Sequence, residues 1–228
     1  MRQRKKIQTV PWPLTIFTSR ILQMTYKNIL AIRGSPRSEM LSVSKKMLAE
    51  FLQNGQLQNT CGKKEIAISP DAKITIVDSY KVNIKPCIHC RCCAKELMSC
   101  VYDNDVADDF TGLEKALNSA DLLVIASPVY VLSFPSPLKA ILDRLQKYFE
   151  LTIKMRSSAV GEKKLLCKKQ HIQNRKDGVL IACCGSNDTK CFNIMEAQLK
   201  LSFKAINTEL IKTIYTANTD SIQGTSEY

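Results

Sequence analysis

The stretch from Asn28 to Met47 constrains the fold most, because it has the pattern of a buried strand, a polar loop and the first turn of a helix in one run. Four consecutive apolar residues follow Asn28, as in a strand that is covered on both faces in a parallel sheet. Gly34 and Pro36 interrupt the run, and from Ser42 onward apolar residues recur at helical spacing. The loop at 34–41 therefore leads into a helix N-terminus, where unpaired N–H groups and the helix dipole favour an anion such as a phosphate.

This loop offers hydroxyls and one positive charge to an anion. The hydroxyls come from Ser35, Ser38, Ser42 and Ser44, and Arg37 supplies a guanidinium. Neither the dinucleotide fingerprint GxGxxG nor the P-loop GxxxxGK[ST] occurs in it. Hydroxyls and amides are enough for a terminal monophosphate, whereas a nucleoside triphosphate usually requires a P-loop lysine and a metal. An ordinary capped helix explains the same serines, since Ser is a preferred N-cap residue.

Strand and helix patterns alternate along the rest of the chain. Further strands are predicted at 73–79, 121–127, 178–184 and 209–216, and further helices at 109–119, 136–150 and 188–203. This alternation predicts an α/β fold with a doubly wound parallel sheet, and five strands favour the flavodoxin-like order 2-1-3-4-5. In that order the loops at 34–41, 127–135 and 184–188 meet at the carboxyl edge of the sheet, where such folds bind ligands.

One domain is expected to account for most of the 228 residues, because their 45% hydrophobic content suffices for one well-packed core. Residues 24–228 are expected to form this domain, and residues 1–23 an N-terminal extension that is either disordered or a misassigned start. The segment at 151–177 has weak periodicity and many charges, which predicts a basic insertion. Little chain follows the last predicted strand, so its face is expected to be covered by a partner, or the C-terminus to be cut short.

The net charge is +12, but its distribution argues against a nucleic-acid binder. Five of the positive charges lie in residues 1–23 without an acid among them, and part of the remainder clusters at 163–176. Such runs are typical of a solvated surface; attraction of an acidic redox partner or a phosphorylated cofactor comes second, and nucleic acid third. No run reaches the roughly 18 apolar residues that span a membrane, so a cytoplasmic protein is expected.

Five of the ten cysteines fall between Cys87 and Cys100. The spacing Cys87-x2-Cys90-x2-Cys93-x6-Cys100 is typical of the compact runs that hold [4Fe-4S] clusters. Four thiolates also satisfy zinc, although zinc sites usually have two well-separated CxxC pairs. A set of reduced cysteines without metal is a third alternative, and Cys92 is left over as a spare thiol.

Two of the loops, together with the helix after the second, resemble a known family. GSPR at 34–37, SPVY at 127–130 and PLKAILDR at 137–144 are similar to the NADPH-dependent FMN reductase family of flavodoxin-like proteins. The cysteine spacing resembles that of the iron–sulfur flavoproteins within it. The likeness covers roughly residues 26–219, without the insertion at 151–177. It implies an FMN whose phosphate lies on the first loop and whose ring lies against the other two.

The resemblance assigns the cofactor contacts to eight residues. On the first loop the phosphate would be bound by Ser35, Arg37, Ser42 and Ser44. On the other two loops the ring would be bound by Pro128, Val129, Tyr130 and Gly185. The family often has Gly-Asn-Thr or Ser-x-Ser after the GSPR motif, where this chain has Met-Leu-Ser-Val-Ser. Whether Ser42 or Ser44 makes the second hydroxyl contact is therefore open. The expected metal ligands are Cys87, Cys90, Cys93 and Cys100.

These features and the resemblance predict an oxidoreductase that passes electrons from a ferredoxin-like donor through a [4Fe-4S] cluster to FMN. The resemblance alone implies a small oxidant as the final acceptor. The cysteine run follows the second strand, so topology places it near the same sheet edge as the flavin loops. A cluster there can pass single electrons to FMN, which collects them for two-electron chemistry. No general base or nucleophile is needed, so no catalytic side chain is predicted.

Two alternatives stay open. The first is an NAD(P)H-dependent FMN or quinone reductase whose cysteines bind nothing, with NAD(P)H as a further cofactor. The second is a flavodoxin-like carrier with a structural zinc. In each case a homodimer or homotetramer is expected from the resemblance, because family members often complete the flavin site with a neighbouring protomer.

Overall fold

The computed structural model describes residues 25–55, 66–156 and 174–222, which form one parallel sheet with helices on both faces. The strands are β1 (Thr25–Arg33), β2 (Ala67–Asp78), β3 (Leu122–Pro128), β4 (Lys176–Cys183) and β5 (Thr208–Thr216). Their order in the sheet is β2-β1-β3-β4-β5, and every neighbouring pair is parallel. The predicted α/β class, doubly wound sheet and flavodoxin-like strand order are confirmed.

Seven helices connect or follow the strands within the described ranges. Helix α1 (Val43–Asn54) follows β1, and α2 (Cys92–Lys95) and α3 (Phe110–Ser119) lie between β2 and β3. Helices α4 (Ser136–Asp143) and α5 (Gln146–Arg156) follow β3, α6 (Lys190–Ala205) connects β4 to β5, and α7 (Thr219–Ile222) follows β5.

Side chains of alternate residues in the central strands pack into two separate hydrophobic cores, one on each face of the sheet. In β1, Leu30 and Ile32 pack into the core shared with α3, α4, α5 and α6, whereas Ile29 and Ala31 pack into the core shared with α1. The pairing of Ile29 with Leu122 of β3 continues this alternation across the sheet. Because both faces are covered, these strands appear in the sequence as continuous apolar runs rather than as alternating ones.

Two elements differ from the prediction. Strand β2 begins at Ala67, not at Lys73, and includes Pro70. Proline lacks an N–H group and is tolerated at sheet edges and bulges; β2 is an edge strand, and its register with β1 shifts at this point. The helix predicted over 136–150 is two helices, because the chain turns at Arg144, whose buried guanidinium donates to Asp108 and to the carbonyl oxygen of Lys85.

Several expectations fall wholly or partly outside the described residues. These include the extension at 1–23, most of the insertion predicted over 151–177, and two of the ten cysteines, Cys61 and Cys167. At the edges of that insertion, α5 continues to Arg156 and β4 begins at Lys176. Among the helices in the described ranges, none combines the length and apolar character needed to cross a membrane.

Candidate functional site

A cavity of about 230 Å³ lies at the carboxyl edge of the sheet. We call it the carboxyl-edge cavity. All eight residues predicted to contact the cofactor line it: Ser35, Arg37, Ser42, Ser44, Pro128, Val129, Tyr130 and Gly185. Four further residues that the sequence analysis missed also line it: Val43, Cys183, Thr219 and Asp220. The three loops that were predicted to meet do so, and a fourth segment joins them.

The first loop packs closely against the end of β3. The N–H of Gly34 donates to the carbonyl oxygen of Ala126 at 2.8 Å. A Cβ atom at Gly34 would lie 2.8 Å from both Leu138 Cδ2 and Ser127 Oγ. A side chain at position 34 would therefore have to displace one of these buried neighbours, and the Gly34 hydrogen bond holds the start of the loop against β3.

Three serine hydroxyls surround the start of α1. Ser42 is the N-cap, and its Oγ accepts the N–H of Lys45 at 3.3 Å. Its Oγ also lies 3.3 Å from Ser44 Oγ. Ser35, Ser42 and Ser44 are 3%, 2% and 1% exposed, so their hydroxyls lie together away from bulk water. Grouped hydroxyls at the N-terminus of a 12-residue helix form a favourable environment for a phosphate.

A buried lysine fixes the shape of this loop, and the sequence analysis missed it. Lys45 Nζ donates to the carbonyl oxygen of Arg37 at 2.7 Å and to Asp78 Oδ2 at 2.9 Å. The amine thus links the anion loop to the end of β2. The signal in the sequence was a lysine on the same helical face as the apolar Leu48, since a cation on a buried face requires a partner.

The second loop presents Tyr130 at the start of a tight turn. The N–H of Tyr130 donates to the carbonyl oxygen of Ser133 at 2.9 Å, and the N–H of Ser133 donates back at 3.0 Å. Val131 and Leu132 occupy the turn with φ values of 46° and 63°, a conformation that costs energy for residues with a Cβ, most of all for a β-branched one. Ser133 Oγ donates to Gln198 of α6 at 3.0 Å, which ties the turn to the body of the domain.

The segment after β5 forms the fourth wall of the carboxyl-edge cavity. Three successive N–H groups of this segment donate to carbonyl oxygens of the third loop. The N–H of Asn218 donates to Ser186 at 2.9 Å, that of Thr219 to Cys184 at 3.0 Å, and that of Asp220 to Gly185 at 3.4 Å. The topology rule that identified the other three loops applies here as well, because β5 also ends at this edge. The short length of chain left after β5 obscured that inference.

Cys183 contributes a neutral thiol to the cavity at the end of β4. Its burial raises the pKa of the thiol to about 11, although hydrogen bonds from Ser44 lower it in part. At neutral pH the group is therefore protonated, and it adds no negative charge to the anion site.

A second cavity, of about 290 Å³, is lined by all four predicted metal ligands, Cys87, Cys90, Cys93 and Cys100. We call it the cysteine cavity. Within the described ranges, no group of three or more His, Cys, Asp or Glu side chains is arranged to hold a metal ion. The structure therefore brings the four cysteines to one cavity, but not into a coordination geometry.

Two buried cations also line the cysteine cavity. Arg144 Nη1 pairs with Asp108 Oδ2 at 2.7 Å, and Lys147 Nζ pairs with Glu114 at 2.8 Å. The N–H of Cys92 lowers the pKa of Cys90 by donating to its sulfur. Sequence reasoning did not identify these cations, because their partners are distant in the chain.

Comparison with known proteins points to one family. The sequence matches the NADPH-dependent FMN reductase family over residues 27–186, well over half of the chain. No curated protein matches it.

Solved structures with low sequence identity share its fold. An FMN-dependent NADH-azoreductase from Bacillus anthracis str. Ames Ancestor, in complex with FMN, is 17% identical with a TM-score of 0.56, over 87% of this chain and 91% of that chain. An azoreductase from Bacillus anthracis str. Sterne is 11% identical with a TM-score of 0.52, over 86% and 89%. An NADH:FMN oxidoreductase in its apo form is 17% identical with a TM-score of 0.50, over 87% and 79%. At such identities the likeness establishes the fold alone.

Proposed function

The chain belongs to the NADPH-dependent FMN reductase family, and we propose on that premise that it holds FMN in the carboxyl-edge cavity and reduces it with NAD(P)H. It is a flavin-dependent oxidoreductase with FMN as its cofactor. We propose, in addition, which residues bind FMN, which molecule donates electrons and which molecule accepts them.

The group of buried hydroxyls at the N-terminus of α1 carries the proposal. Ser35, Ser42 and Ser44 offer O–H donors where the helix dipole favours negative charge, and Arg37 adds a guanidinium to the same cavity. This donor set fits a monophosphate. Ser42 caps the helix through the N–H of Lys45, whereas the Ser44 hydroxyl contacts the Cys183 thiol and Ser42 Oγ and caps no backbone N–H. We propose Ser44 as the second phosphate contact.

The other end of the cavity fits a flat ring. Pro128, Val129 and Tyr130 form an apolar and aromatic wall, and Gly185 adds no side chain. A volume of about 230 Å³ lies below the roughly 300–1,000 Å³ of sites that bury most of a ligand. A flavin held here would keep part of its ring accessible to a hydride donor and to an acceptor. Bound FMN supplies hydride transfer, while the protein supplies position and exclusion of water.

The acceptor is proposed from the fold relatives. The solved structures include azoreductases and an NADH:FMN oxidoreductase. An exposed Tyr130 at the cavity mouth suits a planar oxidant, since aromatic rings stack face to face with an offset. We therefore propose a quinone, an azo compound or free flavin as the electron acceptor.

Anaerobic reduction tests the proposal. The apoprotein is loaded with one equivalent of FMN, and NADPH or NADH is added without oxygen. Bleaching of the visible flavin band, followed by its return when a quinone is added, is expected. Failure of both nucleotides to bleach a flavin that is bound stoichiometrically would contradict the donor assignment while leaving FMN binding intact.

The cysteine cavity favours a second candidate function, in which a [4Fe-4S] cluster feeds electrons to FMN from a ferredoxin-like donor, with a small oxidant as acceptor. Its support is that the four cysteines with cluster spacing line one cavity, beside the buried cations Arg144 and Lys147. The cysteines would have to rotate their thiol groups toward a common centre to bind a cluster.

Anaerobic purification with metal analysis separates the alternatives. About four irons per chain and a broad visible shoulder support the cluster. Zinc without iron indicates the structural metal, and a clean flavin spectrum without metal leaves the NAD(P)H-dependent reductase. Cys93→Ser should abolish metal binding if a metal is present, whereas Cys191→Ser, in a buried thiol outside the cysteine cavity, is the matched control.

Assembly as a homodimer or homotetramer, and the division into an extension at 1–23 and a domain at 24–228, stay predictions. Light scattering of the FMN-loaded protein tests the first, and limited proteolysis with mass spectrometry tests the second. A monomer, or cleavage inside 25–55, would contradict them.

A further inference from the structure

Asp220 occupies a position in the carboxyl-edge cavity that a phosphate site does not explain. It lies in the segment that forms the fourth wall, where its own N–H donates to the carbonyl oxygen of Gly185 at 3.4 Å. The neighbouring N–H groups of Asn218 and Thr219 hold the same segment against the third loop. The backbone therefore fixes the position of Asp220 independently of its side chain.

The carboxylate itself rests on Gly185. A Cβ atom built at Gly185 would lie 2.2 Å from Asp220 Oδ2 and 2.6 Å from Oδ1. No side chain at position 185 is compatible with this arrangement unless Asp220 moves. The glycine thus leaves the space in which the carboxylate lies at the cavity wall.

Asp220 is exposed, and within the described ranges no hydrogen bond or ion pair joins its carboxylate oxygens to the protein. An ionised carboxylate is an acceptor only, with room for about four hydrogen bonds. The carboxylate is therefore open to solvent and also lines a cavity whose other charged side chain is Arg37, so a donor group of a ligand in the cavity can replace the water that binds it. A carboxylate repels a phosphate, so this group suits the uncharged part of a bound ligand.

We propose that Asp220 is a cofactor-recognition residue, whose carboxylate accepts a hydrogen bond from an O–H or N–H donor of the uncharged part of FMN. This inference rests on the proposed function, because it requires FMN in this cavity. FMN has such donors in two places, the ribityl hydroxyls and the N–H of the ring. Serines and Arg37 then recognise the charged end of the cofactor, while Asp220 recognises its neutral end.

Titration of FMN into the apoprotein, followed by quenching of flavin fluorescence, tests the proposal. Asp220→Ala should weaken FMN binding on the order of tenfold, the loss expected for one hydrogen bond to a charged group. Asp71→Asn, which removes an exposed carboxylate on β2 outside the cavity, is the matched control and should leave the affinity unchanged. If the wild-type apoprotein does not bind FMN, the proposed function fails; if it binds and Asp220→Ala binds equally well, only this inference is overturned.

One further variant, compared with Asp220→Ala, separates recognition from a structural role. Asp220→Asn keeps the shape of the side chain but removes its charge, and it should lose part of the affinity while the apoprotein melts at the wild-type temperature. Full FMN affinity in Asp220→Asn, with lowered apoprotein stability in Asp220→Ala, would overturn the proposal.

Gly185→Ala acts through the same carboxylate. It should weaken FMN binding in the wild-type background, and have little further effect in the Asp220→Ala background, where no carboxylate is displaced. Equal losses in both backgrounds would contradict the coupling between the two residues.

Lumiflavin, which lacks the ribityl chain, distinguishes the two possible donors of FMN. If Asp220→Ala no longer weakens binding when lumiflavin is the ligand, the donor is a ribityl hydroxyl; if it still weakens binding, the donor is the ring N–H.

Discussion

Lys45 Nζ lies 2.9 Å from Asp78 Oδ2, and both side chains are almost fully buried. This ion pair links the first turns of α1 to the end of β2. Because the same amine donates to the carbonyl oxygen of Arg37, the pair also sets the shape of the loop that would hold the FMN phosphate. The anion site therefore depends on a contact between residues that are far apart in the chain.

Replacing the lysine tests this dependence. Lys45→Met should lower the free energy of unfolding by about 3 kcal/mol, since it leaves the Asp78 carboxylate buried without its closest partner. FMN affinity should fall as well, because the loop loses its support. Urea denaturation and FMN titration measure the two effects. Lys46→Met, at the exposed neighbouring position, should change neither; equal effects of the two substitutions would rule out a role for the buried pair.

Gly34 tests the close packing of the first loop. Gly34→Ala places a methyl group 2.8 Å from Leu138 Cδ2 and from Ser127 Oγ, and should destabilise the protein by about 1–3 kcal/mol through overpacking. Gly112 in α3 is the matched control, because a Cβ there meets nothing within 4 Å. Gly112→Ala should stabilise the helix by about 0.5–1 kcal/mol. Thermal unfolding of both variants measures the two effects, and shifts of the melting temperature with the same sign in both would contradict close packing at Gly34.

Ser44 tests the phosphate assignment. Ser44→Ala removes a buried hydroxyl and should weaken FMN binding about tenfold. Its effect on riboflavin, which has no phosphate, should be negligible. Ser119→Ala, which removes an exposed hydroxyl from the end of α3, serves as the control for both ligands. Parallel losses for FMN and riboflavin in Ser44→Ala would place the phosphate elsewhere.

The raised pKa of Cys183 predicts how the rate of its alkylation depends on pH. Burial raises the pKa of its thiol to about 11, and only the thiolate reacts with iodoacetamide. Alkylation of Cys183 should therefore be very slow at neutral pH and should rise about tenfold per pH unit toward the pKa. Exposed Cys87 should react first. Peptide mass spectrometry at several pH values follows each site, and rapid labelling of Cys183 at neutral pH would show that it is accessible and ionised.

The sequence was enough to predict the strand order, which follows from local patterns, and the family resemblance named eight residues that line one cavity. That these residues bind FMN stays a prediction. Apolar runs mark strands that are buried on both faces, and the carboxyl-edge rule then brings their loops together without any knowledge of side-chain packing. The motif residues Ser35 and Tyr130 lie within these loops.

The residues that sequence reasoning missed depend on contacts that no local pattern encodes. Asp78 pairs with Lys45 across 33 positions, and Arg144 pairs with Asp108 across 36. Asp220 is one of two acidic residues that the sequence has after the last strand, and only the backbone hydrogen bonds of its segment reveal that it reaches the cavity. Cysteine spacing predicted a [4Fe-4S] site, and the structure brings the four cysteines to one cavity without a metal-binding arrangement among the described residues, because spacing alone does not fix the directions of the thiol groups.

A crystal structure of the chain with FMN tests the central claim most directly. The account predicts the phosphate within hydrogen-bonding distance of the Ser35 and Ser44 hydroxyls at the start of α1, with the ring against Tyr130 and Gly185. An FMN bound anywhere else, or with its phosphate directed away from α1, would contradict it.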